Sequence, residues 1–174
     1  MKKWLSFLGA ITLLGTNTTS LVACNTPQYN EEELQQLKQE NQIYTNCQEI
    51  KENLEWICPQ EQPFNQVDNK WYYVVWRGDK SEEWKIVKFK NDKYEQNKIL
   101  DKYNNYELQL LQTGKAGQGY WKDIGLVDNN GMPRYFAWSF NPKYFKSVYR
   151  WNGGEENLPD LVLNNDGNVK VNSE

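Results

Sequence analysis

The stretch WYYVVW, residues 71–76, gives the strongest structural signal in this chain of 174 residues. An unbroken run of aromatic and β-branched side chains is typical of a β-strand. Turn-forming residues follow at 77–80, and residues 84–89 predict the partner strand of a hairpin. The alternation changes phase between Ile86 and Val87, which predicts a bulge there. The chain is therefore expected to fold around an antiparallel sheet.

Residues further along the chain predict more strands of the same kind, because apolar and polar side chains alternate along them. A short hairpin is also expected near the C-terminus, around the turn-forming sequence Asn165-Asp166-Gly167-Asn168. The β-rich part of the domain is thus predicted to cover residues 64–174. Its further strands are predicted at 106–110, 120–127, 135–140, 161–163 and 169–171, and residues 144–151 stay open between helix and strand.

Residues 30–58 precede this part and predict one long amphipathic helix. Asn30 is placed as the N-cap and Glu33 completes a capping box. Apolar residues then recur mostly every three or four positions until Pro59 ends the pattern. The predicted fold class is therefore α+β, with one long N-terminal amphipathic helix packed on an antiparallel β-sheet. The alternative is a structural protein that associates with a second copy through a coiled coil of helix 31–57. The apolar positions are Leu34, Leu37, Tyr44, Cys47, Ile50, Leu54 and Ile57.

Cys47 and Cys58 lie on this predicted helix, eleven residues apart. On a continuous helix their Cα atoms would be about 16 Å apart. That distance is far beyond what a disulfide spans. Both are expected to be small core residues, and a bridge requires the helix to break before Cys58.

The N-terminal segment predicts export. Lys2 and Lys3 precede an apolar stretch, residues 4–14, that is too short to span a bilayer as a helix. The sequence Leu21-Val22-Ala23-Cys24 follows and resembles the lipobox of bacterial lipoproteins. That resemblance implies cleavage between Ala23 and Cys24 and lipid attachment, of the palmitate type, at Cys24. Residues 1–23 are then a cleaved signal peptide, and residues 24–29 are a tether.

Two longer segments resemble one group of proteins. MKKWLSFLGAITL, residues 1–13, is similar to the signal peptides of spiroplasma-type mollicute surface lipoproteins, and SVYRWNG, residues 147–153, is similar to their C-terminal segments. Members of this group are uncharacterised, so the resemblance implies topology and no activity. It implies a domain on the extracellular face of the cell membrane, anchored in membrane lipid through acylated Cys24.

Composition excludes several classes of function. The chain carries a net charge of −3 and has no histidine, so neither nucleic-acid binding nor a metal centre or cofactor is expected. The glycines of 114–119 lack the strand–loop–helix order of a phosphate-binding loop. Arg77-Gly78-Asp79 resembles the integrin-recognition tripeptide, although Gly-Asp is also ordinary turn chemistry. Adjacent acids at 82–83 and 155–156 leave a carboxylate-dependent hydrolase as a minor alternative.

The aromatic residues of 71–76 suggest a binding surface. Trp71 and Tyr73 lie on one face of the strand, and Tyr72 and Trp76 lie on the other. A two-layer domain buries a single face of its sheet, which would expose some of these rings. Alternatively, both faces are covered and the rings are core residues. The predicted function is a membrane-anchored, non-enzymatic binding or adhesion module for an unknown extracellular or host ligand.

Overall fold

The fold is built mainly from antiparallel strands. The computed structural model describes residues 28–115, 117, 119–128, 134–140 and 142–172. Strands account for 41% and helices for 20% of the structure. The α-helices are α1 (Glu31–Glu40) and α2 (Gln48–Asn53), and short 3-10 turns make up the rest of the helical share. The strands are β1 (Leu54–Trp56), β2 (Trp71–Trp76), β3 (Lys85–Lys90), β4 (Lys98–Tyr103), β5 (Tyr106–Lys115), β6 (Gly119–Asp128), β7 (Arg134–Ala137), β8 (Phe145–Trp151), β9 (Leu161–Leu163) and β10 (Val169–Val171).

These strands form three sheets. The central sheet has the order β1-β8-β2-β3, and the second sheet has the order β4-β5-β6-β7. A two-stranded hairpin joins β9 and β10. Strand β8 pairs with β1 on one side and with β2 on the other, so it brings two early segments of the chain into one sheet.

The predicted helix over residues 30–58 is wrong. Its start is confirmed, because Asn30 and Glu33 form both hydrogen bonds of the capping box at 2.9 Å. The helix ends at Glu40, and Asn41 caps it by donating from its side chain to the carbonyl oxygen of Leu37 at 2.8 Å. Residues 54–56 form strand β1 because they pair with the C-terminal half of β8. The α+β prediction of a long helix packed on a sheet is therefore corrected to a largely β fold with short helices.

The predictions of strands agree more closely with the structure. Strand β2 coincides with the predicted 71–76, and 144–151 is resolved in favour of strand β8. The strand predicted over 135–140 ends at Ala137, and Trp138 to Phe140 form a turn. The pairing of β2 with β3 runs in register through Ile86 and Val87, so the predicted bulge is absent there. A shift in register occurs instead where β2 meets β8, between Val75 and Trp76.

Two cores hold the layers together. The inter-sheet core lies between the central and second sheets, and the outer core covers the opposite face of the central sheet. Helix α2 and the β9–β10 hairpin close the outer core. The inter-sheet core includes Tyr72, Val74, Trp76, Leu108, Leu110, Ile124 and Leu126. The outer core includes Ile43, Ile50, Tyr73, Val75, Tyr149, Trp151, Leu161 and Val169.

Cys47 and Cys58 are both free thiols, the first exposed and the second buried. The helix does break before Cys58, yet no bridge forms between these two residues. The signal peptide, the lipobox with Ala23 and Cys24, and most of the tether fall in residues 1–27, outside the described residues. Within the residues that are described, no helix has the length and apolar character of a membrane-spanning helix.

Candidate functional site

The aromatic surface predicted on β2 is not available to a ligand. Tyr72 and Trp76 are fully buried in the inter-sheet core, and Tyr73 is buried in the outer core. Trp71, at the start of the strand, is half-buried and packs against the outer core. The prediction of exposed rings assumed two layers. The central sheet is the middle layer of three, so both faces of β2 are covered.

The polar edges of the three buried rings are used inside the fold. Trp76 donates its indole N–H to Asp101 at 3.1 Å, and Tyr72 donates its hydroxyl to Asp68 at 2.7 Å. Tyr73 donates to the carbonyl oxygen of Pro159 at 2.8 Å. Burial, with the charge of Asp160 nearby, raises the pKa of Tyr73 to about 12. These side chains therefore hold the layers together and offer no contact surface.

A different surface has the geometry of a binding site. A cleft of about 590 Å³ opens between the loop that joins α1 to α2, the start of β8, and the β9–β10 hairpin. We call it the amide cleft, because asparagine and glutamine side chains recur along its walls. Its lining includes Asn41, Gln42, Ile43, Tyr44, Asn46, Lys146, Tyr149, Asn164, Asn168, Val169, Lys170 and Val171.

Tyr44 stands at the lip of the amide cleft with 89% of its surface exposed. Its neighbours Ile43 and Thr45 are both buried. Successive side chains of an extended segment point to opposite sides, so burying these two residues directs Tyr44 outward. Thr45 also accepts a hydrogen bond from the backbone N–H of Cys47 at 3.1 Å, which orders the loop. The backbone therefore directs this side chain toward solvent at the lip of the cleft.

The floor of the cleft is apolar and its rim is polar. Ile43, Val169 and Tyr149 are buried beneath it, and the Tyr149 hydroxyl donates to the carbonyl oxygen of Asn41 at 3.0 Å. The side chains of Asn168 and Lys170 have no hydrogen-bond partner or ion pair within the described part of the chain. An apolar floor with a few polar groups at its edge is the usual composition of a small-molecule site.

The tripeptide Arg77-Gly78-Asp79 is occupied by contacts within the fold. The guanidinium of Arg77 stacks on Trp84, 4.2 Å from the ring centroid. Gly78 is buried, and the carboxylate of Asp79 accepts from the backbone and the hydroxyl of Ser81 at 3.0 and 2.8 Å. The geometry is that of a turn packed against its neighbours, and it gives no support to an adhesive role for this motif.

One acid of each adjacent pair also makes structural contacts. Glu82 accepts from the backbone of Gly78 at 3.1 Å and from Asn104 at 2.7 Å. Glu155 forms an ion pair with Lys90 at 2.6 Å. Among the described residues, no group of three or more candidate ligands is placed to hold a metal ion.

Asp123 is a buried carboxyl in the second sheet. Burial raises its pKa to about 6, although hydrogen bonds oppose that shift. The hydroxyl and backbone N–H of Ser139 donate to it at 2.6 and 2.9 Å, and the N–H of Ile124 donates at 2.8 Å. One oxygen thus fixes the turn after β7, and the other accepts from the backbone of β6.

Sequence reasoning missed the amide cleft because three distant segments build it. Residues 40–46 and the β9–β10 hairpin come together over one face of the central sheet, next to β8. The sequence did contain one signal, which is the position of Tyr44 between Ile43 and Thr45. The prediction of a long helix instead placed Tyr44 on the apolar stripe of that helix. Comparison with protein-family models, curated proteins and solved structures finds no match for this chain.

Proposed function

We propose that this protein is a lipid-anchored surface protein of the cell membrane whose domain binds carbohydrate in the amide cleft without catalysing a reaction. The observation that carries the proposal is the exposed ring of Tyr44 above an apolar floor with amides at its rim. A flat aromatic ring with a polar edge suits stacking against a sugar. Amide side chains both donate and accept hydrogen bonds, as a sugar's hydroxyl groups require.

A binding role fits the chemistry of the cleft better than hydrolysis does. Glycoside hydrolysis needs two carboxyl groups on either side of the bond that breaks. Glu40 is the one acidic residue in the described lining of the cleft. Glu82 and Glu155 are engaged elsewhere, as described above, and none of the acids at 82–83 and 155–156 lines the cleft. A carboxylate-dependent mechanism therefore has no support at this site.

The alternative of self-association through helix 31–57 loses its basis. That segment forms two short helices and a strand, and α1 itself contains no buried residue. A continuous apolar seam, which a coiled coil needs, is absent from the described residues of this segment.

The test is a glycan array followed by calorimetric titration with the purified lipoprotein in detergent. Replacing Tyr44 with alanine is expected to weaken binding of the selected glycan at least tenfold, since the ring supplies the stacking surface. Tyr120, which is 81% exposed on another part of the fold, provides the matched control. Tyr120→Ala is expected to leave the affinity unchanged. Absence of saturable binding, or an equal loss in both variants, would contradict carbohydrate binding in the cleft.

A further inference from the structure

The chain enters the folded domain at a fixed point. The backbone N–H of Tyr29 donates to the side-chain oxygen of Gln60 at 2.7 Å, and the Gln60 amide donates back to the carbonyl oxygen of Tyr29 at 2.9 Å. These two hydrogen bonds join the first described residues to the 3-10 turn Pro59–Glu61. We call this contact the Gln60 clamp. It fixes the chain five residues after Cys24.

The remaining tether is short compared with the domain. Five extended residues reach at most about 18 Å. A folded domain of this size is about 40 Å across. If Cys24 carries lipid, as proposed above, the tether holds the domain close to the bilayer. The domain then cannot rotate far enough for each of its faces to contact the bilayer. The side that carries the Gln60 clamp must therefore face the membrane.

The clamp is connected to the outer end of the β5–β6 hairpin. Asn65, in the 3-10 turn after Gln60, accepts a hydrogen bond from the backbone N–H of Lys122 at 2.9 Å. Asn65 also donates to Gln62 at 2.8 Å, which ties the two turns together. Tyr120 precedes Lys122 by two residues on β6, and 81% of its surface is exposed. The clamp and this exposed ring thus belong to one side of the molecule.

We propose that this side, formed by residues 59–65 and by residues 112–114 and 119–122 of the β5–β6 hairpin, contacts the lipid bilayer and that Tyr120 lies at the lipid–water interface. The inference rests on the proposed lipid anchor. Tyrosine is enriched at membrane interfaces because its ring is apolar and its hydroxyl is polar. Lys122, whose ammonium lies 4.4 Å from the ring centroid of Tyr94, is placed near the phosphate layer.

This orientation keeps the amide cleft accessible. Phe64, beside the clamp, packs in the inter-sheet core, whereas Ile43 of the cleft packs in the outer core. The clamp and the cleft therefore adjoin opposite faces of the central sheet, at the two ends of α1. The acidic first turn of α1, residues 31–33, also lies next to the clamp. Because these acids would repel anionic lipid, we expect this side of the domain to contact neutral phosphatidylcholine, and we expect the contact not to require anionic lipid.

Site-directed spin labelling of the lipoprotein in phosphatidylcholine vesicles tests the orientation. The background variant is Cys47→Ser, since Cys24 is acylated and Cys58 is buried. Tyr120→Cys and Tyr44→Cys are labelled separately. Collision of the label with oxygen is compared with its collision with a water-soluble nickel chelate. The label at 120 is expected to meet the chelate at least threefold less often than the label at 44, and equal values would overturn the inference. Gln112, exposed and paired with Lys122, offers a second position if Tyr120→Cys does not fold.

Vesicle flotation separates the two proposals. A protein that does not float has no lipid anchor, and the proposed function itself fails. If the protein floats but the label at position 120 collides freely with the chelate, only the proposed orientation is overturned. In a floating Gln60→Ala variant, loss of the clamp frees the chain at Tyr29, and the protection at 120 is expected to fall. Unchanged protection in that variant would contradict an orientation set by the clamp.

Discussion

At the scale of single residues, Asp123 shows how burial changes the chemistry of a side chain. It is 3% exposed, and burial is the largest influence on its carboxyl group. Its pKa of about 6 in the folded protein lies above the ordinary value of 3.8. The folded state therefore binds this proton more tightly than the unfolded chain does. The contribution to stability is present below pH 4 and is lost as the pH rises to about 6.

We expect Asp123→Asn to remove this pH dependence. A change in pKa from 3.8 to about 6 corresponds to about 3 kcal/mol. Between pH 4 and 6 the free energy of unfolding of the natural protein should fall by up to that amount relative to the variant. Urea denaturation across this range measures the difference, with Asp92→Asn, at an exposed position, as the control. Parallel curves for the natural protein and Asp123→Asn would show that burial does not shift this carboxyl.

At the scale of elements, an ion-pair network joins α1 to the body of the domain. Lys38 donates to Glu55 at 2.5 Å and to Glu61 at 2.7 Å. Glu55 also accepts from Arg150 at 2.6 Å. Burial raises the pKa of Glu55, but the hydrogen bonds from Lys38, Arg150 and Asn152 outweigh it and lower the pKa to about 2. With no buried residue of its own, α1 depends on this network.

Lys38→Met is expected to loosen α1 while leaving the sheets intact. Both carboxylates keep a partner, since Arg150 remains for Glu55 and the backbone N–H of Cys58 for Glu61. Loss of the bridge should cost about 1 kcal/mol. Hydrogen exchange of the α1 amides should then rise about fivefold, with β2 unchanged. Lys51→Met, at an exposed position of α2, is the control, and the same increase in that variant would exclude a specific role for Lys38.

The β9–β10 hairpin is attached by a close contact at its turn. Gly167 has φ of +75°, and a Cβ atom there would lie 2.3 Å from Cδ1 of Trp84. Gly117 has a similar φ of +82°, but its Cβ would meet no described atom within 4 Å. Substitution of Gly117 therefore tests backbone strain alone, whereas substitution of Gly167 tests backbone strain together with steric overlap.

Gly117→Ala should cost about 1–2 kcal/mol through backbone strain alone. We expect Gly167→Ala to cost about 1–3 kcal/mol more, because the methyl group also displaces Trp84. Thermal unfolding of the two variants measures this difference. Equal losses would indicate that the hairpin can move away from Trp84 without cost.

Whether the sequence predicts an element correctly depends on how far apart in the chain the interacting residues are. The hairpin of β2 and β3 and the capping box of α1 depend on neighbouring residues, and the sequence predicts them. Residues 54–56 have the spacing of a helix but pair with residues 149–151, and that partner cannot be read from local periodicity. The amide cleft was missed for the same reason, since its walls come from segments that only the sheet brings together.

At the scale of the whole molecule, the predicted lipid anchor has a direct test. In cells, Cys24→Ser should move the protein from the detergent-extracted membrane fraction to the soluble fraction, because the acyl chains lose their attachment site. Cys47→Ser removes an exposed thiol outside the predicted lipobox and should leave the protein in the membrane fraction. Retention of Cys24→Ser in the membrane would contradict the proposed anchor.

The position of β8 in the central sheet determines when the chain can fold during its synthesis. Strand β1 pairs only with β8 in the described structure, and β2 has β8 on one side. Until residues 145–151 have been made, β1 has no partner and the β2–β3 hairpin stands without its central neighbour. Pairings between residues so far apart in sequence form late. The central sheet can therefore be completed only after synthesis has reached about residue 151, whereas the second sheet, made of consecutive strands, can pair earlier. If the chain is exported during synthesis, as the proposed anchor requires, a translocation channel would receive it before the central sheet has formed.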